Sequence, residues 1–266
     1  MCTPVLLACS DILWSIVWLR PAVGQRKDPP NSNMANRGAV RLRYHGRVSW
    51  TVWSFIHVEF NITQTDYLFS YKLMTNLIVP RPIAWITSID AAGVINAAPF
   101  SFFNMLGAEP PILAVGIGRR PGTNTPKDTA LNVRSTGEFV VNLVTEEMVE
   151  KMNECSVDFP HGTSEVEKIG LACAAGRQVK VPHLAKSAAS FECRLVQYIE
   201  IGDNLVFIGQ ILHLRIADEI YDADKKHIRT EAFHPVGRMG APATYVRSRD
   251  RFNMPRLNYQ QWLEKH

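Results

Sequence analysis

The side chains best suited to holding a ligand gather in one short stretch, from Pro80 to Asn104 (PRPIAWITSIDAAGVINAAPFSFFN). Its second half places Asn96, Ser101 and Asn104 among small and apolar residues. Small side chains let a flat ligand approach the backbone, while serine and asparagine supply hydrogen bonds at its rim. The pattern indicates one wall of a planar-cofactor site, whereas composition alone favours an ordinary core strand.

A second stretch has the residue types of an anion site. Thr125 is predicted to cap a helix over Lys127–Thr136, with Pro126 in its first position, Asp128 completing a capping-box-like pair and Gly137 as a left-handed C-cap. The first turn of such a helix, with the Lys127 ammonium beside it, binds a phosphate through free N–H groups and the helix dipole. The alternative is a well-capped surface helix without a ligand.

Most of the chain after Tyr71 has the pattern of β-strands. Ile83–Ile89 and Val94–Phe103 form a predicted hairpin around the turn at 90–93. The other predicted strands are Ile112–Ile117, Phe139–Val144, Phe191–Ile201 and Leu205–Ile216, and the other predicted helices are Glu146–Glu154 and Tyr259–Glu264. Many closely spaced strands with few helices predict a barrel, and no GxGxxG follows a strand, which argues against a Rossmann domain.

Four blocks in order resemble the signature of the flavin reductase-like, FMN-binding split-barrel family. They are PRPIAW with Thr87-Ser88, NAAPFSFFN, KDT with Asn132, and HPVGRMG with Tyr245, and the resemblance runs from about Tyr71 to about Leu257. It implies a mainly β fold, an antiparallel Greek-key FMN-binding split β-barrel with a few peripheral helices. The corresponding domains are an N-terminal extension (1–64), the barrel (65–257) and a C-terminal tail (258–266).

The resemblance also implies a function and a set of cofactor-binding residues. The expected activity is that of an NAD(P)H-dependent FMN or flavin reductase, passing electrons from NADH or NADPH through FMN to a flavin or other acceptor, in a homodimer. The alternative is an FMN-binding electron carrier of the flavoredoxin kind without its own NAD(P)H site; a pyridoxamine-phosphate oxidase fits the 80–104 block less well. The expected FMN-binding residues are Thr87, Ser88, Ala98, Pro99, Phe100, Ser101, Asn104, Lys127, Asp128, Thr129, Asn132 and Arg238.

Few residues suggest acid–base or metal chemistry. His234 precedes the VGRMG block and is a candidate contact to a nicotinamide or flavin ring, but a lone histidine before proline is more often structural. No HExxH or HxH pattern supports a metal site. The acidic run that includes Asp158, Glu165 and Glu167 is expected to be a solvated face.

Charge and composition exclude several function classes. The formal net charge is +4, and the excess lies in residues 1–60, with 7 Lys+Arg against 3 Asp+Glu, while the remainder holds 22 of each. A neutral barrel does not predict nucleic-acid binding. The five cysteines have no CxxC spacing and are expected to be free thiols in a reducing, cytoplasmic compartment.

The first 64 residues leave three interpretations open. The apolar run Val5–Leu19 carries Asp11 and has no preceding Lys or Arg, so it matches a signal peptide poorly and is short for a membrane span. The third interpretation, which we favour, is an unstructured or wrongly assigned extension before a functional start near Val58. Composition predicts disorder over Arg26–Ala39.

Overall fold

A computed structural model describes residues 58–240 and 242–266, together with the backbone of two earlier strands. The chain divides into two compact units, residues 1–60 and 61–266. In the first unit, β1 (Ala39–Tyr44) pairs antiparallel with β2 (Val48–Trp53). The Val5–Leu19 run and residues 26–38 of the segment predicted to be disordered lie outside the described residues. Within the described part of the chain, no helix has the length and apolar character needed to span a membrane.

The second unit is built mainly from strands. Its longer strands are β3 (Ala84–Ile89), β4 (Ile95–Phe100), β5 (Phe102–Ala108), β6 (Pro111–Gly118), β7 (Glu138–Leu143), β10 (Ala189–Ile201) and β11 (Asn204–Ile216). Short strands are β8 (Cys173–Ala174), β9 (His183–Leu184), β12 (Tyr221–Asp222), β13 (His227–Ile228), β14 (Val236–Arg238) and β15 (Tyr245–Arg247). The helices are α1 (Tyr67–Leu77), α2 (Asp128–Thr136), α3 (Val149–Glu154), α4 (Glu165–Ile169) and α5 (Tyr259–Leu263), with 3-10 turns at Ile62–Gln64, Glu146–Met148 and Asp218–Ile220.

The seven long strands form one antiparallel sheet in the order β4-β3-β7-β10-β11-β6-β5. Strands β4 and β5 are its two edges, yet Ser101 alone separates them along the chain. The sheet must therefore curl until its edges approach, which is how a sheet closes into a barrel. The predicted mainly β, antiparallel barrel with few helices is confirmed.

Two apolar clusters lie on opposite sides of β3. Ile86 packs inside the barrel with Phe139 and Phe207, whereas Trp85 packs outward with Met152 and the helices that cover this face. Trp85 is fully buried, so it is a core residue. Helices α3 and α4 are held by this outer cluster, and they carry the residues that border the site described below.

Two helices, α1 and α4, were not predicted from the sequence. In α1 many apolar side chains are exposed, so no amphipathic stripe marks it, although Asp66 caps it by accepting a hydrogen bond from Phe69 N at 3.0 Å. Helix α4 has five residues between the Ser164 N-cap and Gly170, which is too short for a periodic signal. The hairpin β3–β4, the pair β10–β11 and the left-handed Gly137 C-cap (φ 72°) match the sequence predictions. The predicted limb Val94–Phe103 is too long, because β4 ends at Phe100 and the chain continues after Ser101 into β5, a strand that was not predicted.

Candidate functional site

Helix α2 begins without a side-chain cap. Its N-cap is Lys127, which makes no capping hydrogen bond. The predictions that Thr125 caps the helix, that Pro126 takes its first position and that Asp128 completes a capping-box-like pair are therefore wrong. The first backbone bond of the turn runs from Leu131 N to Lys127 O at 3.1 Å. The N–H groups of residues 128–130 therefore have no acceptor within the helix, and the positive end of its dipole faces the same way.

This helix start borders a narrow cleft, the α2 cleft, opposite the small-residue wall of β4. The volume of the cleft is about 80 Å³, well below the roughly 300–1,000 Å³ of ordinary ligand pockets. The cleft brings together six of the predicted site residues, Ala98, Pro99, Phe100, Lys127, Asp128 and Thr129, and adds Asn96, Arg120, Glu165 and the segment 155–159.

The segment 155–159 covers the cleft because Asp128 and Arg120 hold the chain there. Asp128 Oδ1 accepts from Arg120 Nη2 at 2.8 Å and contacts His161 Nδ1 at 2.6 Å, and its Oδ2 accepts from Gly162 N at 3.2 Å. Arg120 Nη1 also donates to Phe159 O at 3.3 Å. Burial alone would raise the pKa of Asp128, but the hydrogen bonds from His161, Arg120 and Gly162 outweigh it and lower that pKa. We call this set of contacts the Asp128 latch.

A buried polar network lies beneath the cleft. Thr129 Oγ1 donates to Asn96 Oδ1 at 2.7 Å, and Asn132 Nδ2 donates to Ser88 Oγ at 3.2 Å. Asn96 Nδ2 donates to Glu165 Oε2 at 2.8 Å. The side chains of Ser88, Thr129 and Asn132, which the resemblance implies bind the cofactor, form hydrogen bonds to their neighbours instead. At Thr129, only the backbone is left to contact a ligand.

Thr87 lies on the other side of β3. Its hydroxyl donates to Pro182 O at 2.6 Å and accepts from Asn142 Nδ2 at 3.3 Å, and the residue is fully buried. Because successive residues of a strand face opposite ways, Thr87 and Ser88 cannot both face one cleft. The structure does not bring Thr87 to the α2 cleft.

Ser101 and Asn104 line a second, open cavity of about 460 Å³, the β5 cleft. Arg81 forms its floor, with Nη1 donating to Thr75 O at 2.6 Å and Nη2 to Met239 O at 2.9 Å, while Nε donates to Ser101 Oγ at 3.4 Å. Phe102 at its mouth is 48% exposed. Arg81 ties α1 and the chain after β14 to the barrel, a role that the sequence did not reveal.

Arg238 and His234 are placed apart from the α2 cleft. Arg238 packs over the Tyr245 ring at 4.8 Å and donates from Nη2 to Pro242 O at 2.8 Å, while its backbone pairs with Arg81. His234 lines another cavity, of about 810 Å³, with Lys186 and Arg249. Among the described residues, no group of three or more His, Cys, Asp or Glu side chains is placed to hold a metal ion.

Glu165 is the residue that sequence reasoning placed wrongly. The expected solvated carboxylate is 7% exposed and accepts hydrogen bonds from Asn96 and from Ala97 N. No periodic signal marked this burial, because α4 has only five residues, with Glu165 and Ile169 on one face. That face packs on β4, so the carboxylate points into the protein.

Residues 74–251 match the family model described as flavin reductase like domain. A protein of Deinococcus radiodurans is 42% identical over 214 residues, covering 79% of this chain and 94% of the relative. One similar solved structure is 2-nitrobenzoate 2-nitroreductase NbaA of Pseudomonas fluorescens (30% identity, TM-score 0.69, 76% of this chain and 98% of that one). Another is nitrilotriacetate monooxygenase component B of Bacillus cereus (30% identity, TM-score 0.71, 76% and 100%).

Proposed function

The chain belongs to the flavin reductase-like domain family, and on that premise we propose that it is an FMN-binding oxidoreductase. It passes electrons from NADH or NADPH through FMN to a flavin or another acceptor. The observation that carries this proposal is the uncapped start of α2, with Lys127 and Arg120 beside it, facing the small-residue wall of β4.

The residues of the α2 cleft fit the phosphate end of FMN. Three backbone N–H groups without helical acceptors, the helix dipole and the Lys127 ammonium are the donors that a phosphate needs. Among the described residues, the Lys127 side chain makes no hydrogen bond or ion pair, so it is available to an anion. Arg120 already neutralises Asp128, and this keeps the carboxylate from repelling the phosphate.

The wall of β4 fits the flat end of the cofactor. Ala98 and Pro99 present little side chain, so an aromatic ring can approach their backbone. When bound, FMN supplies the hydride and single-electron chemistry, and the protein supplies orientation and exclusion of water. The cleft is too small for a whole flavin as it stands, so segment 155–159 must move aside or the ring must extend beyond the cleft.

The two similar structures reported above suggest which class of electron acceptor to test. One is a nitroreductase acting on 2-nitrobenzoate and the other is one component of a monooxygenase. A small organic acceptor and a partner oxygenase that receives reduced flavin are therefore the two acceptor classes to test.

A second copy of the chain is proposed to cover an exposed apolar face. Phe102 and Met105 of β5 and Met74 and Leu77 of α1 are exposed, and Tyr71 contacts the Phe102 ring edge-on at 6.5 Å. Contiguous apolar surface of this kind marks an interface between proteins. The β5 cleft opens on this face, so dimer formation would enclose it.

One preparation tests the function. We expect the purified chain to bind FMN and the visible flavin absorbance to bleach at catalytic rates when NADH or NADPH is added without oxygen. A yellow protein indifferent to both nucleotides would instead be an electron carrier. A colourless protein that does not bind added FMN would refute both functions.

A further inference from the structure

The polar network beneath the α2 cleft runs in one direction and ends at Glu165. Asn132 donates to Ser88, and Ser88 Oγ donates to Asn96 Oδ1 at 3.4 Å. Thr129 donates to the same oxygen of Asn96. Asn96 Nδ2 then donates to both oxygens of Glu165, at 2.9 and 2.8 Å. Every donor of the network therefore points toward one carboxylate.

Glu165 also holds the backbone of the cleft wall. Its Oε2 accepts from Ala97 N at 3.0 Å, on the edge strand β4, where no further strand satisfies that side of the sheet. The next residues, Ala98 and Pro99, line the cleft. The carboxylate thus joins the wall of β4 to the first turn of α2 through Asn96 and Thr129.

We propose that ionised Glu165 is a positioning residue for flavin binding, which orders the β4 wall of the α2 cleft through Asn96 and the Ala97 N–H. This inference rests on the proposed function, because it assigns the cleft to flavin. An ionised carboxylate only accepts hydrogen bonds, so it can serve all three donor contacts. A protonated one must place a hydrogen on one oxygen, and both oxygens here already face Asn96 donors.

The surroundings of Glu165 favour the protonated form of its carboxyl group. Burial raises the pKa of Glu165, the Asp128 carboxylate raises it further, and the hydrogen bond from Ala97 N opposes the rise. The ordering is therefore present above this raised pKa and is lost as the pH falls through it. The charged and titratable groups that line the α2 cleft with Glu165 are Arg120, Lys127, Asp128, Cys155 and Asp158. Those on the adjoining elements are Lys151 and Glu154 on α3, Glu167 and Lys168 on α4, and His161 just after the covering segment.

The test measures flavin affinity by fluorescence quenching as the pH is lowered from about 8 to about 4, below the ordinary pKa of a glutamate. Riboflavin is titrated beside FMN because it has no phosphate whose own ionisation would change the affinity. For the wild type we expect riboflavin affinity to fall about tenfold, the effect of leaving one buried donor unpaired. Glu165→Gln should bind about tenfold more weakly at pH 8 and lose most of the pH dependence.

Two controls separate positioning from stability and from surface charge. Ser164→Ala removes the α4 cap, whose Oγ bonds Glu167 N and Ile95 O, so it lowers the melting temperature but should keep the wild-type pH profile. Glu167→Gln removes an exposed charge on the same helix and should change neither the melting temperature nor the pH profile of flavin binding.

Each outcome decides one claim. Flavin binding by Glu165→Gln with wild-type affinity, or a flat wild-type profile, overturns the role of Glu165 and leaves the FMN site intact. If Glu165→Gln does not fold, the wild-type and Ser164→Ala profiles decide alone. A wild type that binds neither flavin at any pH overturns the proposed function instead.

Discussion

Replacing Lys127 by alanine should weaken FMN binding with little effect on folding. The side chain is half-buried beside the α2 cleft, and α2 takes no capping hydrogen bond from it. Its loss removes one charge-assisted hydrogen bond to a phosphate, about 1.5–3 kcal/mol, and thus about 10- to 100-fold in Kd. The helix N–H groups remain, so binding should be weakened rather than abolished. The free energy of unfolding should change by no more than about 0.5 kcal/mol, as for other residues without bonding partners.

The assay is a comparison of two flavins with two variants. FMN and riboflavin are titrated against the wild type, Lys127→Ala and Lys168→Ala, the last being an exposed lysine on α4. Weaker binding should appear only for FMN with Lys127→Ala, because riboflavin has no phosphate and Lys168 does not line the cleft. Equal weakening of FMN and riboflavin, or unchanged FMN affinity, would refute the assignment of the phosphate to this helix start.

Three further variants test the latch, the core and the apolar face. Asp128→Asn weakens the Asp128 latch, so FMN should leave several times faster in stopped-flow exchange; an unchanged rate would show that the covering segment does not limit release. Gly209→Ala places a Cβ into the Phe139 ring and should cost about 1–3 kcal/mol of unfolding free energy in a denaturant titration, and wild-type stability would contradict this packing. Met105→Glu charges the exposed face of β5 and should convert a dimer to a monomer in sedimentation experiments; a dimer that persists would place the interface elsewhere.

The strands could be predicted from sequence because their signals are local. The hairpin of β3 and β4 is marked by the Asp90–Gly93 turn, and the pair β10–β11 is joined by a turn at Gly202-Asp203. The motifs of the 80–104 and 125–132 blocks also led to the expectation that β4 and the start of α2 border one site. In the structure Ala98, Pro99, Phe100 and Lys127 line one cleft, and its assignment to FMN stays a proposal.

The side chains within the site could not be predicted in the same way. The surroundings of Thr87 depend on how residue 182 packs against the barrel, and the burial of Glu165 depends on how α4 packs there. Both contacts join residues that are distant in sequence. The role of Arg81 could not be predicted either, because its guanidinium donates to Met239 O, 158 residues further along the chain. Strand pattern and composition contain no record of such contacts.

In the proposed function, FMN binds with its phosphate at the start of α2. A crystal structure of the chain grown with FMN measures this most directly. We predict phosphate oxygens within hydrogen-bond distance of the N–H groups of residues 128–130 and of Lys127 Nζ, with the flavin beside Ala98 and Pro99. A phosphate bound instead in the cavity of Lys186, His234 and Arg249 would contradict the claim.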